Sequence, residues 1–386
     1  MKVFWATKLR GFLKHLSEGL TDVEFAESTQ YYEVNKRWHR ILSKIIRLKI
    51  FDLLGIFKVV TISGKDCDIY GSFNSFLKSD KPYFIYLENP LALYHYSIKR
   101  ISYRHGKHKF EKCLNDKNLK GIICMSDACK NSFEKINGNI PDHIFFGTIY
   151  PFVPNNKNVS YEIIKNKSAQ KTIELLYCVQ GVRFVSKGGL ETLEALSGLQ
   201  DICVHLTVIT KISDVDKKII KKIKSMDNVD LYDFSFAYSD LEKIYARTNI
   251  LIQPTSDDSV PLTVLEAMKG GCAVISSRLY AIPEMVAEAE NGFLIDPKYW
   301  FFDRNNIPNP RVWNHREKTI YSTKIDEDMV GKISDRIRLL YEDRKLLEKL
   351  SMTSFKKATD DSLFGEDGIA QRWKHVLCEE IDLSQI

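Results

Sequence analysis

Acidic side chains in the second half of the chain have the types and spacing of a candidate ligand-binding site. Asp257 and Asp258 stand just ahead of the apolar helical stretch Pro261–Lys269, and a third acid, Glu266, lies inside that stretch. A carboxylate among apolar helix residues is costly to bury unless it binds something. Glu266 is therefore a candidate binding residue, whereas the two aspartates also suit a purely structural role at the helix start.

The helix that carries Glu266 has clear start and stop signals. Ser256–Ser259 contains good N-cap residues, Pro261 suits the first turn, and Gly270 with Gly271 favours a left-handed ending. The apolar run 249–254 predicts a strand that delivers this start to the carboxyl edge of a parallel sheet, where ligands bind. A helix N-terminus at that edge offers free N–H groups to phosphate.

Two cations follow an earlier strand of the same half of the chain. Arg183 and Lys187 stand among Gly181, Gly188 and Gly189, which permit close approach of the backbone to a ligand. Because the carboxyl ends of parallel strands share one edge, we expect both cations near the start of the Glu266 helix. Arg and Lys converging on a helix N-terminus form a clamp for a diphosphate.

Alternating apolar and helical segments supply the elements that position these residues. In the first part of the chain, buried parallel strands are predicted at 2–6, 57–62, 67–73, 83–89, 121–126 and 143–152, with helices at Lys8–Leu20, Lys36–Leu54 and Ala128–Ile136. The polar stretch Val153–Lys171 predicts a linker. In the second part, strands are predicted at 173–179, 204–210, 229–234, 249–254, 272–277 and 292–296, with helices at Gly189–Leu199, Asp214–Ser225, Ser239–Ala246 and Pro261–Lys269.

This alternation predicts an α/β protein of two Rossmann-like, doubly wound domains that face each other across a cleft. We place the first domain at 1–155, the second at 156–365, and a final helix at 366–386 that crosses back onto the first domain. Tyr299–Ser322 interrupts the pattern and predicts a loop insertion, which either lines the cleft or covers the sheet edge.

The composition limits the cellular compartment and the classes of binding partner that fit this protein. No uncharged apolar run approaches the roughly 18 residues of a membrane span, and eight cysteines without paired spacing favour a reduced, cytoplasmic compartment with no disulfide framework or zinc site. A formal charge of only +6 and the lack of a recognition motif argue against nucleic acid binding. The basic segment 35–58 predicts a helix that either contacts the anionic inner face of a membrane or packs on the core with a solvated basic face.

The segment 249–297 resembles the signature of the family 4 retaining glycosyltransferases, which adopt the GT-B fold, and the loop 181–189 resembles the Arg–Lys phosphate motif of that family. The family carries two glutamates separated by seven residues, and Asp258 and Glu266 occupy those positions here. The chain departs from the pattern in two places: it has Asp at 258, and Arg183 stands four positions before Lys187, where family members often show five.

The resemblance implies a role for each matching residue. Glu266 would hold the ribose hydroxyls of a nucleotide-sugar, and Asp258 would bind hydroxyls of the donor sugar. Arg183 and Lys187 would neutralise the β-phosphate as it leaves, so that no metal and no other cofactor is expected. Backbone N–H groups would face the sugar and the diphosphate at Ser259, Val260, Leu262 and Thr263. A metal-binding role for Asp257 and Asp258, as in GT-A enzymes, would leave Glu266 without a role.

In the first domain, the family places an acceptor-side residue after a strand in the middle of the domain. Glu88 follows the predicted strand there and is a candidate for orienting the acceptor or the donor sugar; a helix-cap role ahead of Pro90 stays open. His95 is a second candidate, with packing among aromatic neighbours as its alternative. Lys8, Arg10 and Gly11 take the place of a family loop that touches the diphosphate.

Together these residues predict a retaining, metal-independent hexosyltransferase that uses a nucleotide-diphosphate-sugar. Its acceptor would be a glycan or a lipid-linked sugar of a surface polysaccharide. A nucleotide-sugar epimerase is the rival enzyme. The non-enzymatic alternatives are a nucleotide-sugar-binding partner, which would bind the donor without turnover, and a membrane-surface scaffold, which would bind anionic vesicles and ignore nucleotides.

Overall fold

The computed structural model describes residues 1–7, 9, 11–28, 49–360 and 363–381. They form two compact units. The first comprises Met1–Pro154, Asn305–Ile307 and Glu366–Ile386, and the second comprises Asn155–Arg304 and Pro308–Gly365. Each unit is built around a six-stranded sheet in which neighbouring strands are parallel. The predicted α/β architecture with two Rossmann-like sheets is confirmed.

The main sheet of the first unit has the order β2-β1-β4-β6-β7-β8. Its central strands are buried along their whole length, because they carry aromatic and aliphatic residues on both faces. The strands of this unit are β1 (Lys2–Trp5), β2 (Glu24–Glu27), β3 (Val59–Ile62), β4 (Ile69–Phe73), β5 (Phe76–Ser79), β6 (Tyr83–Leu87), β7 (Leu119–Cys124) and β8 (Phe145–Thr148).

The prediction of a buried strand at 57–62 is wrong, because the strand that forms there is partly exposed. In the described part of the chain, β3 pairs with β5 in a separate two-stranded sheet, and Val59 and Thr61 are exposed. Alternation of exposed and half-buried residues is the pattern of a strand that is solvated on one face. Strands β2 and β5 had no counterpart among the predicted elements.

The helices of the first unit lie between its strands along the chain. They are α1 (Gly11–Gly19), α2 (Lys49–Leu53), α3 (Ile98–Ser102), α4 (Arg104–Leu114), α5 (Asp127–Asn137) and a 3-10 helix, Pro90–Tyr94. The Ser126 hydroxyl caps α5 by accepting the Cys129 N–H at 3.1 Å. Of the helix predicted at Lys36–Leu54, residues 36–48 lie outside the described residues, and the basic segment 35–58 is therefore described only in part.

The sheet of the second unit has the order β11-β10-β9-β12-β13-β14. Numbered within the unit, this is the 3-2-1-4-5-6 order of a doubly wound sheet, whose direction of progression reverses between β9 and β12. That reversal opens a crevice at the carboxyl ends of those two strands. The strands are β9 (Ile173–Cys178), β10 (Val204–Thr210), β11 (Val229–Asp233), β12 (Ile250–Gln253), β13 (Ala273–Ser277) and β14 (Gly292–Ile295).

Amphipathic helices cover this sheet with a shared aliphatic core, which includes Leu193, Leu206, Ile275 and Ile333. The helices are α6 (Tyr161–Ser168), α7 (Gly189–Ser197), α8 (Lys217–Lys224), α9 (Tyr238–Arg247), α10 (Leu262–Lys269), α11 (Ile282–Met285), α12 (Pro310–Trp313), α13 (Glu327–Glu342), α14 (Arg344–Thr359) and the 3-10 helices Gly181–Arg183, Ile212–Asp214 and Arg316–Lys318.

The stretch Val153–Lys171, predicted as a linker, instead contains α6. The Ser160 hydroxyl caps this helix by accepting the Ile163 N–H at 3.3 Å. Its last turn buries Lys167, whose Nζ donates to the carbonyl oxygens of Thr248 and Gly270 at 2.6 and 2.7 Å. A lysine that reaches carbonyl oxygens at distant points of the chain is not visible in local composition, and this is why the polar stretch suggested a linker.

The final helix, α15 (Glu366–His375), belongs to the first unit and continues as a single π turn, Val376–Glu380. Trp373 is fully buried and its ring meets Tyr86 edge-on, with centroids 5.0 Å apart. None of the helices in the described residues is long and apolar enough to cross a membrane.

Candidate functional site

The loops that follow β9 and β12 meet at the crevice of the second sheet. Gly188 has a φ of +78°, and a Cβ there would lie 2.6 Å from the carbonyl oxygen of Pro254, so no larger residue fits this crossing. The backbones are joined at 2.8 Å, where the Ser256 N–H donates to the Ser186 carbonyl. The Tyr177 hydroxyl, at the end of β9, donates to the Phe184 carbonyl at 2.6 Å and fixes the first loop.

This crossing brings Lys187 and Asp258 into a buried ion pair. Lys187 Nζ donates to both carboxylate oxygens of Asp258, at 2.7 and 2.6 Å, and Gln253 Nε2 donates to Oδ2 at 2.9 Å. Burial raises the pKa of Asp258, but the positive charges of Lys187 and Arg183 outweigh it and hold that pKa below its usual value. Asp258 is therefore a carboxylate that holds Lys187 in place.

Arg183 lies beside the other acid of the pair. Its Nη1 is 3.4 Å from the Asp257 carbonyl oxygen and 3.8 Å from Asp257 Oδ2. Burial raises the pKa of Asp257 above its usual value, and the two nearby cations offset only part of this effect. The Arg183 side chain is 42% exposed, so its guanidinium is within reach of a ligand.

Glu266 projects from α10 and is half-buried. The Tyr245 hydroxyl, on α9, donates to Glu266 Oε2 at 2.8 Å. Burial raises the pKa of Glu266, and the hydrogen bond from Tyr245 offsets part of that rise. The carboxylate thus has one fixed donor and remaining capacity to accept hydroxyl groups.

The predicted capping of α10 by Ser256–Ser259 is wrong. The N-cap position is Pro261, and no side chain of the described residues caps the helix. The aspartates ahead of it turn toward Arg183 and Lys187 because buried carboxylates are stabilised more by these cations than by a cap. The predicted ending is confirmed, since Gly271 adopts a φ of +63°. Ser259, Val260, Leu262 and Thr263 are half-buried around the uncapped start.

The insertion Tyr299–Ser322 is folded on an aromatic cluster in the second unit. Phe301 and Trp313 stack with centroids 4.1 Å apart, and Trp313 Nε1 donates to the Phe301 carbonyl at 2.8 Å. The Tyr299 N–H donates to the Ser256 hydroxyl at 3.2 Å. Burial raises the pKa of Tyr321, and the negative charge of Asp257 raises it further, so this tyrosine also lies close to the site.

In the first unit, Glu88 follows β6 and is half-buried. Its N–H donates to Asn74 Oδ1 at 2.9 Å, and its Oε1 accepts the Tyr96 hydroxyl at 2.6 Å. His95 and Tyr96 both have left-handed backbones, with φ of 52° and 57°, and close the turn that returns Tyr96 to Glu88. Glu88 and His95 thus lie on either side of the 3-10 helix Pro90–Tyr94, while Lys8 and Arg10 lie outside the described residues and Gly11 begins α1.

Sequence reasoning missed the polar partners of the site. Gln253 is the only polar side chain of β12, and Tyr245 stands on the α9 face that packs toward α10. The polar residue at the end of an apolar strand was a signal for the first. No sequence signal separates Tyr245 from an ordinary packed tyrosine.

Two Rossmann-like units with a charged site at the switch point of the second sheet are the features of the GT-B fold. Solved structures agree over nearly the whole chain. They include Anabaena Alr3699/HepE in complex with UDP and glucose, with a TM-score of 0.60, 13% identity and coverage of 98% of this chain and 99% of that one. Sucrose-phosphate synthase from Thermosynechococcus elongatus has a TM-score of 0.62, 12% identity and coverage of 97% and 98%.

A family model matches part of the second unit. Residues 160–300 match the model of the family described as glycosyl transferases group 1. Lipopolysaccharide glucosyltransferase WaaG of Escherichia coli (strain K12) is 23% identical over 207 residues, or 52% of each protein, so the match spans about half the length of this curated relative. Residues 160–300 therefore resemble a group 1 glycosyl transferase domain, and the resemblance to family 4-type glycosyltransferases is confirmed.

Proposed function

We propose that this protein transfers a hexose from a nucleotide-diphosphate-sugar to a glycan or lipid-linked acceptor in the synthesis of a surface polysaccharide. The observation that carries the proposal is the buried Lys187–Asp258 pair, with Arg183 beside it, at the switch point of the second sheet. Cations at this position suit a diphosphate. The uncapped N-terminus of α10 adds N–H groups that also bind phosphate.

Glu266 supplies the nucleoside end of the donor site. Its half-buried carboxylate accepts a hydrogen bond from Tyr245 and can accept more, and a pair of ribose hydroxyls provides suitable neutral donors. The energetic cost of a carboxylate with a raised pKa is offset when a ligand donates hydrogen bonds to it.

The chemical step follows from the charges. The bond between the anomeric carbon and the β-phosphate oxygen breaks, its electron pair stays on the phosphate, and Lys187 and Arg183 stabilise that negative charge. The acceptor hydroxyl then attacks the anomeric carbon from the face that the phosphate leaves, so the configuration is retained. The proton of the hydroxyl passes to the departing phosphate. Because two side-chain cations and the N–H groups around Ser259, Val260, Leu262 and Thr263 balance the charge, the proposal requires no metal.

The first unit would supply the acceptor side. Glu88, held by Tyr96, is positioned by a turn with two left-handed residues and can accept a hydrogen bond from a sugar hydroxyl. The curated relative that matches about half of this chain is a lipopolysaccharide glucosyltransferase, which supports an envelope glycan as the acceptor class and a hexose as the transferred group. We expect the reaction in the cytoplasm, at the inner face of the membrane.

Peripheral membrane contact would be made near residues 35–58. In the described part of that segment, Ile50, Leu53 and Leu54 are more than half exposed. Lys109 of the basic helix α4 donates to the Leu54 carbonyl at 2.8 Å, which sets cations next to these apolar side chains. Apolar side chains bordered by lysines suit an anionic bilayer surface.

A donor-hydrolysis and transfer assay tests the proposed activity. UDP-, GDP- and ADP-hexoses are incubated with the protein in EDTA, with and without extracted lipid-linked oligosaccharide, and nucleoside diphosphate release is followed. Proton NMR of the product reports the anomeric configuration. Release that depends on Lys187 and yields a retained anomer is expected. Donor binding without any release favours the non-catalytic binding partner, and vesicle binding without donor binding favours the scaffold.

A further inference from the structure

The acidic pair Asp257–Asp258 is asymmetric in its hydrogen bonding. Both carboxylate oxygens of Asp258 accept hydrogen bonds from Lys187 or Gln253. Asp257 is equally buried, at 5% exposure, yet its Oδ1 has no hydrogen-bond partner among the described residues. Buried carboxylate oxygens are ordinarily satisfied, and an orphan at a binding crevice calls for an explanation.

The neighbours of Asp257 do not remove this deficit, since the Ser186 hydroxyl, which helps to lower the pKa of Asp257, donates its proton to the Arg183 carbonyl at 3.2 Å. Arg183 Nη1 is 3.8 Å from the other oxygen, Oδ2, which is a long contact for a charged pair. The Asp257 N–H is already used by the Thr255 hydroxyl at 3.2 Å, so the backbone is fixed while the side chain is not fully paired. The raised pKa of Asp257 agrees with a carboxylate whose burial is incompletely compensated.

The chemistry of the missing partner can be inferred. A carboxylate oxygen accepts hydrogen bonds and repels phosphate, so its partner must be a neutral or cationic donor. In the donor proposed above, the diphosphate belongs beside Lys187 and Arg183, and the groups next to it that carry donors are the hydroxyls of the sugar. We propose that Asp257 is a specificity-determining residue whose Oδ1 accepts a hydrogen bond from a hydroxyl of the transferred sugar.

This inference rests on the proposed donor site and deepens it. Oδ1 is covered in the ligand-free protein, so a side chain beside it must move to admit the sugar. The Arg183 side chain, which is 42% exposed, and the half-buried Tyr321 of the insertion flank Asp257. Rotation of Arg183 toward the diphosphate would lengthen its contact with Asp257 Oδ2 and open the carboxylate to the sugar in the same movement.

The test compares two variants by calorimetry in EDTA. Asp257→Asn keeps the shape and removes the charge, and Asp335→Asn, an exposed change on α13, is the matched control. Each is titrated with UDP, GDP and ADP and with the glucose and galactose conjugates of the base that binds. Asp257→Asn is expected to lose roughly tenfold or more in affinity for the preferred conjugate, since charged hydrogen bonds are the stronger class, and to keep the nucleoside diphosphate affinity within about threefold.

Thermal unfolding of the same variants separates recognition from a structural role. A residue that merely holds Arg183 would leave the variant less stable, whereas an uncompensated buried carboxylate predicts a variant at least as stable as the wild type at neutral pH. Equal losses of affinity for the nucleoside diphosphate and its sugar conjugate, or no loss for either, would overturn the specificity role of Asp257. Neither result would overturn the donor site itself. Failure of the wild type to bind any of these nucleotides would overturn the donor site and this inference with it.

Discussion

The carboxyl edges of the two sheets hold carboxylates in contrasting ways. In the second unit Asp257 and Asp258 are almost fully buried and lie beside cations, and their pKa values shift in opposite directions. In the first unit Glu88 is half-buried and its Oε1 accepts a hydrogen bond from a neutral hydroxyl, that of Tyr96. The same kind of residue at the same kind of edge is thus prepared for different partners.

The difference follows from the charge of what each edge would bind. A diphosphate carries negative charge, so its site must place cations in advance and hold them with acids that stay ionised. An acceptor hydroxyl is neutral, and a carboxylate with only a neutral partner is the better acceptor for it. The comparison therefore predicts that variants of the second unit alter donor affinity, while variants of the first alter acceptor use.

The largest effect is expected for Lys187→Ala. Loss of a charge-assisted phosphate contact should weaken donor binding by about 10- to 150-fold. It also leaves Asp258 buried without its cation, which should lower the free energy of unfolding by about 3–5 kcal/mol. Calorimetry and urea unfolding measure the two effects.

Lys222→Ala is the control for the removal of one lysine. Lys222 forms an ion pair with Glu194 at 2.6 Å on a half-exposed surface, where such pairs contribute up to about 1 kcal/mol. Donor binding that falls equally in both variants would mean that net charge, not the crevice pair, attracts the nucleotide.

Glu266→Gln should weaken nucleoside diphosphate binding by about tenfold, because a charged acceptor for the ribose hydroxyls is lost. The ligand-free variant should be more stable than the wild type at neutral pH. The folded-state pKa of Glu266 is raised, so the folded protein holds the proton more tightly and loses stability as pH rises through the window between the unfolded and folded values.

Melting curves at several pH values check the sign of this effect. The stability advantage of Glu266→Gln should be present at pH 7 and vanish in acid, below the usual pKa range of a carboxyl group. A lower melting temperature at pH 7 would instead assign Glu266 a structural role through Tyr245.

Glu88→Gln tests the other side of the comparison. Turnover with acceptor should fall by about 10-fold, the effect of losing one charged hydrogen bond. The affinity for the nucleoside diphosphate should stay unchanged. Steady-state kinetics with varied acceptor and calorimetry with the nucleotide separate the two. A matched loss in nucleotide affinity would place Glu88 on the donor instead.

The smallest effect is expected for Tyr96→Phe, which removes only the hydroxyl that donates to Glu88. A single net hydrogen bond supports a change of about 2- to 10-fold in acceptor KM, with donor affinity unaltered. Phe keeps the ring and the left-handed turn, so unchanged melting temperature is part of the expectation. An effect as large as that of Glu88→Gln would show that Tyr96 itself contacts the acceptor.

Much of this site was predictable from sequence because its residues follow strands. The cations after β9 and the acids after β12 could be placed at one edge once the parallel alternation was recognised. What failed was local: the structural alternative in which the acids cap α10 is wrong, and the stretch predicted as a linker contains α6. Local patterns report which residues suit a cap or a loop, but not which distant cation competes for them.

The hydrogen-bond partners of the site residues could not be predicted from the sequence for the same reason. Tyr245 meets Glu266 from another helix, and no periodicity distinguishes its hydroxyl from one that faces solvent. The Asp257 oxygen without a partner among the described residues is likewise a property of three-dimensional packing, since both oxygens of the neighbouring Asp258 accept hydrogen bonds. Sequence located the acidic pair, and the structure distinguished its two members.

The most direct test of the account is calorimetric titration of the wild type and of Lys187→Ala with nucleoside diphosphates in EDTA. The account predicts that one base binds the wild type without metal and that Lys187→Ala weakens this binding by at least about tenfold. Binding that is absent, that requires magnesium, or that is unchanged in Lys187→Ala would contradict the claim that this crevice is a diphosphate site.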